Sequence, residues 1–235
     1  MIASSVTEAN IFQALGTVLR NMLPASVAVV RGQQNRVAEP DSKDFVVMWD
    51  TSRVRLSTNT DGYSDIALIG SIAGNTLTVT QALQGIITAG LTLTATNILA
   101  DTQISALGTG TGGAGTYTVN KSQSLASTTL QAGGKGVQQP TQVTIQCDVH
   151  GPASADNAQI ISTLLRDEYA YDQFKSVGFD VTPLYCNDPR QVPFMNAEQQ
   201  IEERWVVEVV MQANPVVSVA QQFAGTVAVS ITDII

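Results

Sequence analysis

PTQVTIQCDVHGPASADNAQIISTLLRDEYAY, residues Pro140 to Tyr171, reads as a strand, a sharp turn and an amphipathic helix. Val143, Ile145, Cys147 and Val149 alternate with Thr144, Gln146, Asp148 and His150, a period of two with one apolar face. Gly151-Pro152 turns the chain. Ser154 has the side chain expected of a helix N-cap, and Asp156 places negative charge in the first turn, where the helix dipole favours it. Ala158, Ile161, Leu164, Leu165 and Tyr169 form the apolar stripe, opposite Arg166, Asp167 and Asp172. A strand with one apolar face followed by such a helix implies a sheet with helices packed on one side.

The same stretch holds the only His and one of the two Cys, so it is the first place to look for catalysis. Asp148 and His150 share a strand face, which suits a metal site or a base with its orienting carboxylate. A metal site needs three or four convergent ligands, and no second His exists. Cys147 points to the opposite, apolar face, away from any base. The residues therefore predict scaffold: no catalytic residue, no cofactor and no metal. Cys147 and Cys186 are too few for a disulfide framework and are expected to be buried free thiols.

Upstream, residues 5–22 have helical periodicity. Ser5 and Glu8 have capping-box spacing, and Thr7 is an alternative N-cap. Ile11, Leu15, Val18, Leu19 and Met22 make one stripe, and Pro24 ends it. Ser26–Gly32 and Phe45–Trp49 are short apolar strands joined by the polar connection Gln33–Asp44. The second strand continues extended through Asn59, with Arg53 and Arg55 on one face and Val54 and Leu56 on the other.

The composition then changes. From Ile66 to Val137 there are 3 charged residues out of 32 in the chain, 12 of the 18 Gly and one aromatic, Tyr117. Short Thr- and Val-rich pieces separated by Gly predict a small all-β domain inserted into the host. DGYSD (Asp61–Asp65) and AGGKG (Ala132–Gly136) are its expected hinges. GTGTGGAG (Gly108–Gly115) looks like a phosphate cradle, but it has no GK[ST] and no helix follows it, so a glycine turn is the expectation.

Downstream, Gly178–Ala197 carries three prolines and predicts an ordered irregular excursion with short extended pieces. Glu203, Trp205, Val207, Val209 and Met211 share one face of a long strand. Val216–Val219 and Thr226–Ile231 read as further strands. The fold class expected is α+β, a mixed or antiparallel sheet with two helices plus an inserted all-β domain. The host spans residues 1–64 and 138–235, and the insertion 65–137.

The formal net charge of -8 over 235 residues argues against a protein that holds nucleic acid by neutralising phosphates. No apolar run approaches the ~20 residues of a membrane span. The N-terminus lacks the basic start and apolar core of a signal peptide.

TEANIFQALGTVLRNMLP, VVRGQQNRVAEP, IQCDVHGPASADNAQIISTLLRDEY and PLYCNDPRQVPFMNAEQQIEERWVVEVVMQANPVV, taken in order with the following QQFA, resemble the bacteriophage neck or tail terminator family. The resemblance covers residues about 5–60 and 138–232. It implies a small α+β subunit that forms a homo-hexameric ring at the head-proximal end of the tail. That ring would cap the tail tube and join it to the head connector or stopper. The protein would be assembled in the host cytoplasm and reside in the virion neck, with genomic DNA passing its lumen unbound. No reaction, cofactor or small-molecule substrate is implied. Interface candidates are Arg36, Glu39, Arg53, Arg55, Arg166, Tyr185, Arg190, Phe194 and Arg204. The β-domain would be decoration. An alternative from another class is a carbohydrate-binding or adhesion protein acting through that domain. An enzyme using Asp148, His150 and Cys186 is a third.

Overall fold

The computed structural model describes residues 4–33, 40–195 and 201–220. In chain order the elements are α1 (Glu8–Met22), β1 (Ala28–Arg31), β2 (Phe45–Arg55), β3 (Thr60–Gln84), β4 (Thr92–Thr94), β5 (Ile104–Leu107), β6 (Gly115–Gln138) and β7 (Thr141–His150). Then follow α2 (Ser154–Leu164), α3 (Glu168–Val177), β8 (Val181–Cys186), β9 (Arg190–Gln191), β10 (Phe194–Met195), β11 (Ile201–Glu202), β12 (Arg204–Ala213) and β13 (Val216–Ala220). The chain is α+β and divides into two compact units. One combines Ser4–Asn59 with Gln138–Val216, and the other is built on Thr60–Val137.

The first unit is a mixed sheet in the order β1-β2-β7-β12-β8, with β9 also paired to β12. Strand β1 runs parallel to β2, and the other pairs are antiparallel. Strand β7 is central and pairs along its whole length with β12, from Thr141↔Ala213 to His150↔Arg204. Its apolar residues Val143, Ile145, Cys147 and Val149 are buried as the alternation requires. They share one core with Val46, Met48, Val207, Val209 and Met211 of the neighbouring strands and with the inner faces of α1, α2 and α3.

Helix α1 starts at Thr7, which bonds the Asn10 N–H while the Asn10 side chain accepts from Thr7 N–H. The Ser5–Glu8 alternative is therefore not the cap. All five stripe residues are buried. Gly16 is buried as well, and a Cβ there would lie 3.2 Å from Met48 Cε, so the missing side chain brings the helix onto β2.

Three helices form where two were expected. The chain after Gly151 makes α2, then a tight turn at Leu165–Asp167, then α3. Asp167 is extended (φ -106, ψ 160) and its carboxylate accepts the Tyr169 N–H, so it caps a new helix instead of continuing the old one. Tyr169 consequently lies in α3 with 37 % of its surface exposed, outside the buried stripe.

Ser154 is also not the N-cap. That position is Ala153, which has no side-chain oxygen. Its own N–H donates to Asp44 Oδ1 at 2.8 Å, so the carboxylate comes from a distant loop. Ser154 lies one residue further on, fully buried, and among the described residues its Oγ has no hydrogen-bond partner; neither does Nδ2 of Asn157. The turn that precedes them needs glycine: Gly151 has φ +101, and a Cβ there would collide with the Lys43 carbonyl.

The Pro-rich segment is more regular than expected. Residues Val181–Cys186 form β8 against β12, with a register shift between Val210 and Met211. Residues Phe194–Met195 and Ile201–Glu202 form a short hairpin. The expected strand Thr226–Ile231 and residues 34–39 of the loop Gln33–Asp44 lie outside the described residues.

In the second unit β3 folds back on itself around Gly74 (φ +63), so that Thr80 Oγ1 reaches the Ile69 carbonyl at 3.1 Å. The long β6 pairs with β3, β4, β5 and β13. Its buried positions change parity between Leu125 and Leu130, which marks a bulge or bend. A separate core contains Leu68, Leu77, Ile104, Tyr117 and Leu130. The expected hinge Ala132–Gly136 is part of β6, paired at Gly133↔Thr92 and Ala132↔Leu93, just before the division between the units at Val137 and Gln138. Lys135, beside it, pairs with Asp61 at 2.6 Å, and the bond to that carboxylate raises the amine's pKa.

Two substitutions test these local assignments. Gly151→Ala forces a left-handed residue against a backbone carbonyl and is expected to cost about 1–3 kcal/mol. Both tryptophans, Trp49 and Trp205, belong to the first unit, so their fluorescence in a denaturant titration reports that unit. Ser154→Ala has opposite signs under the two readings. An N-cap serine would cost about 1 kcal/mol on removal. Removing a buried, unpartnered hydroxyl is expected to leave stability unchanged or raise it by up to about 1 kcal/mol in the same assay.

Candidate functional site

The helix-free face of the first sheet collects the polar side chains that the sequence singled out. Phe45, Val47 and Trp49 of β2 sit opposite His150, Asp148 and Gln146 of β7. Arg204, Val206 and Glu208 of β12 flank the same three residues on the other side. Phe45 and His150 stack with ring centroids 4.7 Å apart.

Asp148 is 1 % exposed and His150 8 %. Both are more buried than a strand edge leading to a turn would require. Asp148 accepts from Gln146 Nε2 at 2.7 Å and lies 3.5 Å from the Arg204 guanidinium. His150 Nδ1 is 2.7 Å from Glu202 Oε1, where the carboxylate accepts. A buried carboxylate is tolerated when it is paired and bonded in this way. The Asp–His pair of the sequence is thus two separate pairs, Asp148–Arg204 and His150–Glu202. No group of three or more His, Cys, Asp or Glu side chains converges on a point among the described residues.

The cysteines are equally withdrawn. Both are buried and unpaired. Burial pushes the Cys147 thiol far above its ordinary range, with the nearby Cys186 and Asp148 adding to the shift. Burial also raises Cys186, to about 12, against the opposing pull of the Arg166 guanidinium. A nucleophilic cysteine needs the reverse, a lowered pKa and access.

The expected interface residues do not form one patch. Arg53 pairs with Asp50 at 2.6 Å, and Arg55 donates to Asn59 Oδ1 at 3.2 Å, both on the outer half of β2. Arg190 pairs with Glu208 at 3.3 Å on the helix-free face, where Arg204 also lies. Tyr185 opposes Val210 there and is 48 % exposed. Arg166 stands elsewhere, donating Nε and Nη2 to the Cys186 carbonyl at 2.8 and 2.7 Å while pairing with Asp188. Phe194 begins the β10–β11 hairpin. Arg36 and Glu39 lie outside the described residues.

The described geometry thus presents paired charges and withdrawn thiols over a sheet scaffold. A family model for phage neck terminator proteins matches residues 77–235. The chain belongs to the phage neck terminator protein family. It is therefore a structural bacteriophage protein of the neck. No curated protein matches the chain. The matched stretch takes in most of the β-rich unit as well as β7 to β13, whereas α1, β1 and β2 precede it.

In this neck terminator the described part of the β-rich unit exposes one aromatic ring, Tyr63 near its start, 5.7 Å from the Lys135 amine. Between Ile66 and Val137 the sole aromatic is Tyr117. It is 1 % exposed, its hydroxyl donating to the Gly113 carbonyl and accepting from Gly112 N–H. The glycine loop that resembled a phosphate cradle is wrapped around that ring and leads directly into β6.

Two features were missed in the sequence. Met195 and Ile201 face each other across the β10–β11 hairpin, 64 % and 78 % exposed. A cleft of about 340 Å³ opens between α3 and β8, walled by Tyr171, Phe174 and Phe179. The hairpin had a signal, two β-prone dipeptides around a polar connection, but Pro189 and Pro193 masked it. The cleft had none, because its walls come from a helix, a turn and a strand.

The thiols give a pH dependence whose sign is fixed. A thiol held protonated in the folded chain binds its proton more tightly than in the unfolded chain. Its contribution is complete below the ordinary value of 9.0 and is lost as pH rises towards about 12. Stability is expected to fall above about pH 9 by up to about 1.4 kcal/mol per pH unit for each thiol. Cys186→Ala should flatten that slope in denaturant titrations between pH 8 and pH 10.5.

Proposed function

We propose that the chain is the subunit of a homo-hexameric ring in the phage neck. The ring caps the tail tube and joins it to the head connector or stopper, and genomic DNA passes through it unbound. Membership of the phage neck terminator family is the observation that carries this reading. Within the proposal, the unit around residues 65–137 is an appended β-domain turned outward as decoration, on a host of residues 1–64 and 138–235. The chain needs no cofactor or small-molecule substrate for this work.

The charges support passage of DNA without retention. Among the described residues, six of the chain's 12 Lys and Arg are paired with carboxylates: Arg31, Arg53, Lys135, Arg166, Arg190 and Arg204. Arg20 and Lys121 donate to the Val29 and Ala100 carbonyls. Each cation paired with a carboxylate is one fewer to displace the counterions of a phosphate backbone. An acidic, internally paired surface repels a polyanion and leaves it mobile.

Static light scattering and negative-stain imaging of the purified chain test the proposal. Closed rings of six subunits are expected, with no retention on duplex DNA at about 150 mM salt. A monomer at every concentration, or salt-sensitive DNA binding that places phosphates against the chain, would sink it.

A further inference from the structure

The outer edge of β12 is covered by two unlike pieces of chain. Strand β8 pairs with Val209–Ala213, and its end residues Val181 and Cys186 are buried. The other half of the edge, from Arg204 to Glu208, is covered by residues Asn187–Val192, of which only Arg190–Gln191 are regular strand. No residue from Asn187 to Pro193 is buried. Such a segment gains little from the core, so its closure rests chiefly on hydrogen bonds and ion pairs.

Those ties converge on one carboxylate. At the two ends of the segment, Asn187 N–H donates to the Glu208 carbonyl at 3.0 Å and Val192 N–H to the Arg204 carbonyl at 2.9 Å. Between them the Glu208 side chain accepts from Asn187 Nδ2 at 2.6 Å and from Arg190 Nη2 at 3.3 Å. Upstream, the Arg166 guanidinium is bonded twice to the Cys186 carbonyl and once to Asp188, which fixes the point where the segment leaves β8. The ion pairs stand in water: the Arg190 side chain is 64 % exposed and that of Asp188 89 %. Exposed pairs of this kind contribute little and weaken with salt. Pro189 and Pro193 fix the backbone within and just beyond the segment, so it moves as one stiff piece.

We propose that Asn187–Val192 is a salt-sensitive strap, which swings off the outer edge of β12 as a unit while β8 and the rest of the sheet stay paired, with Glu208 as its catch. Closed, the strap withholds that half of β12 from other chains. Open, it bares the Arg204 and Glu208 carbonyls, a short sheet edge of the kind that accepts a further strand. The strap belongs to the single subunit, so it stands or falls independently of the ring.

Amide hydrogen exchange of the full chain at constant pH tests it. The Asn187 and Val192 amides are expected to share one protection factor, at least about tenfold below that of the β7 amides. Raising NaCl from about 0.05 M to about 1 M is expected to speed both together severalfold and to leave β7 unchanged. Glu208→Gln is expected to speed both at low salt and to shrink the response to salt. A clamp closes the test from the other side. Arg190 and Val206 face each other across the strap and β12, so an oxidised Arg190→Cys, Val206→Cys double variant ties the strap down. The native thiols are buried and take no part. Oxidation is expected to slow both amides towards the β7 value, and reduction to restore fast exchange. Asn187 and Val192 amides that respond separately, that are as protected as β7, or that ignore salt, Glu208→Gln and the clamp overturn the strap.

Discussion

Strand β7 constrains everything else in the first unit. It is paired on both edges, to β2 and to β12, over nearly its whole length. A one-residue slip of such a strand would turn Val143, Ile145, Cys147 and Val149 out of the core and put Thr144, Gln146, Asp148 and His150 into it. Two ladders and four buried apolar side chains oppose that slip together. The fixed register in turn sets what the helix-free face looks like. Val47, Asp148 and Val206 fall in one row, and Phe45, His150 and Arg204 in the next.

That constraint explains why the most reactive-looking residues do no visible chemistry. Asp148 and His150 share a face because the strand alternates, and the neighbouring strands supply their partners. Arg204 comes from β12 directly opposite His150, yet its guanidinium reaches back to Asp148. Glu202 comes from the residues just before β12 and meets His150. The Cys147 thiol is turned the other way by the same parity. Burial without a lowered pKa makes it an apolar packing group.

Local periodicity made much of this fold legible. The stripe of α1, the alternation of β7 and the apolar face of β12 were readable because each is a run long enough for its period to show. The failures have a common cause in interactions that cross the chain. Ser154 carried the expected capping side chain, but Asp44, 110 positions away in sequence, took the N–H that precedes the helix. The break between α2 and α3 was written in Asp167-Glu168, a cap followed by acid in the first turn, but the apolar spacing continued across it. Strand β8 was hidden by Pro183, which an edge strand tolerates and a central strand does not. The glycines of Ala132–Gly136 looked like a hinge because their partner Thr92–Thr94 lies about forty residues away, far beyond a local window.

The sheet's own edges carry devices that discourage pairing with other chains. Unpaired strand edges invite other chains. Arg20 reaches the Val29 carbonyl on β1, and Arg166 reaches the Cys186 carbonyl at the end of β8. Pro183 removes a donor from the middle of β8. On the outer half of β2, beyond the residues that pair with β1, the chain carries Asp50, Arg53 and Arg55 and a register shift between Asp50 and Ser52. Together these devices blunt backbone pairing along β1, β8 and the outer half of β2. With edge-to-edge addition discouraged, association falls to side-chain surfaces, which define direction and angle more narrowly than a ladder that can slide by two residues. A ring requires that selectivity, since a contact that tolerates several registers yields open filaments as readily as closed assemblies.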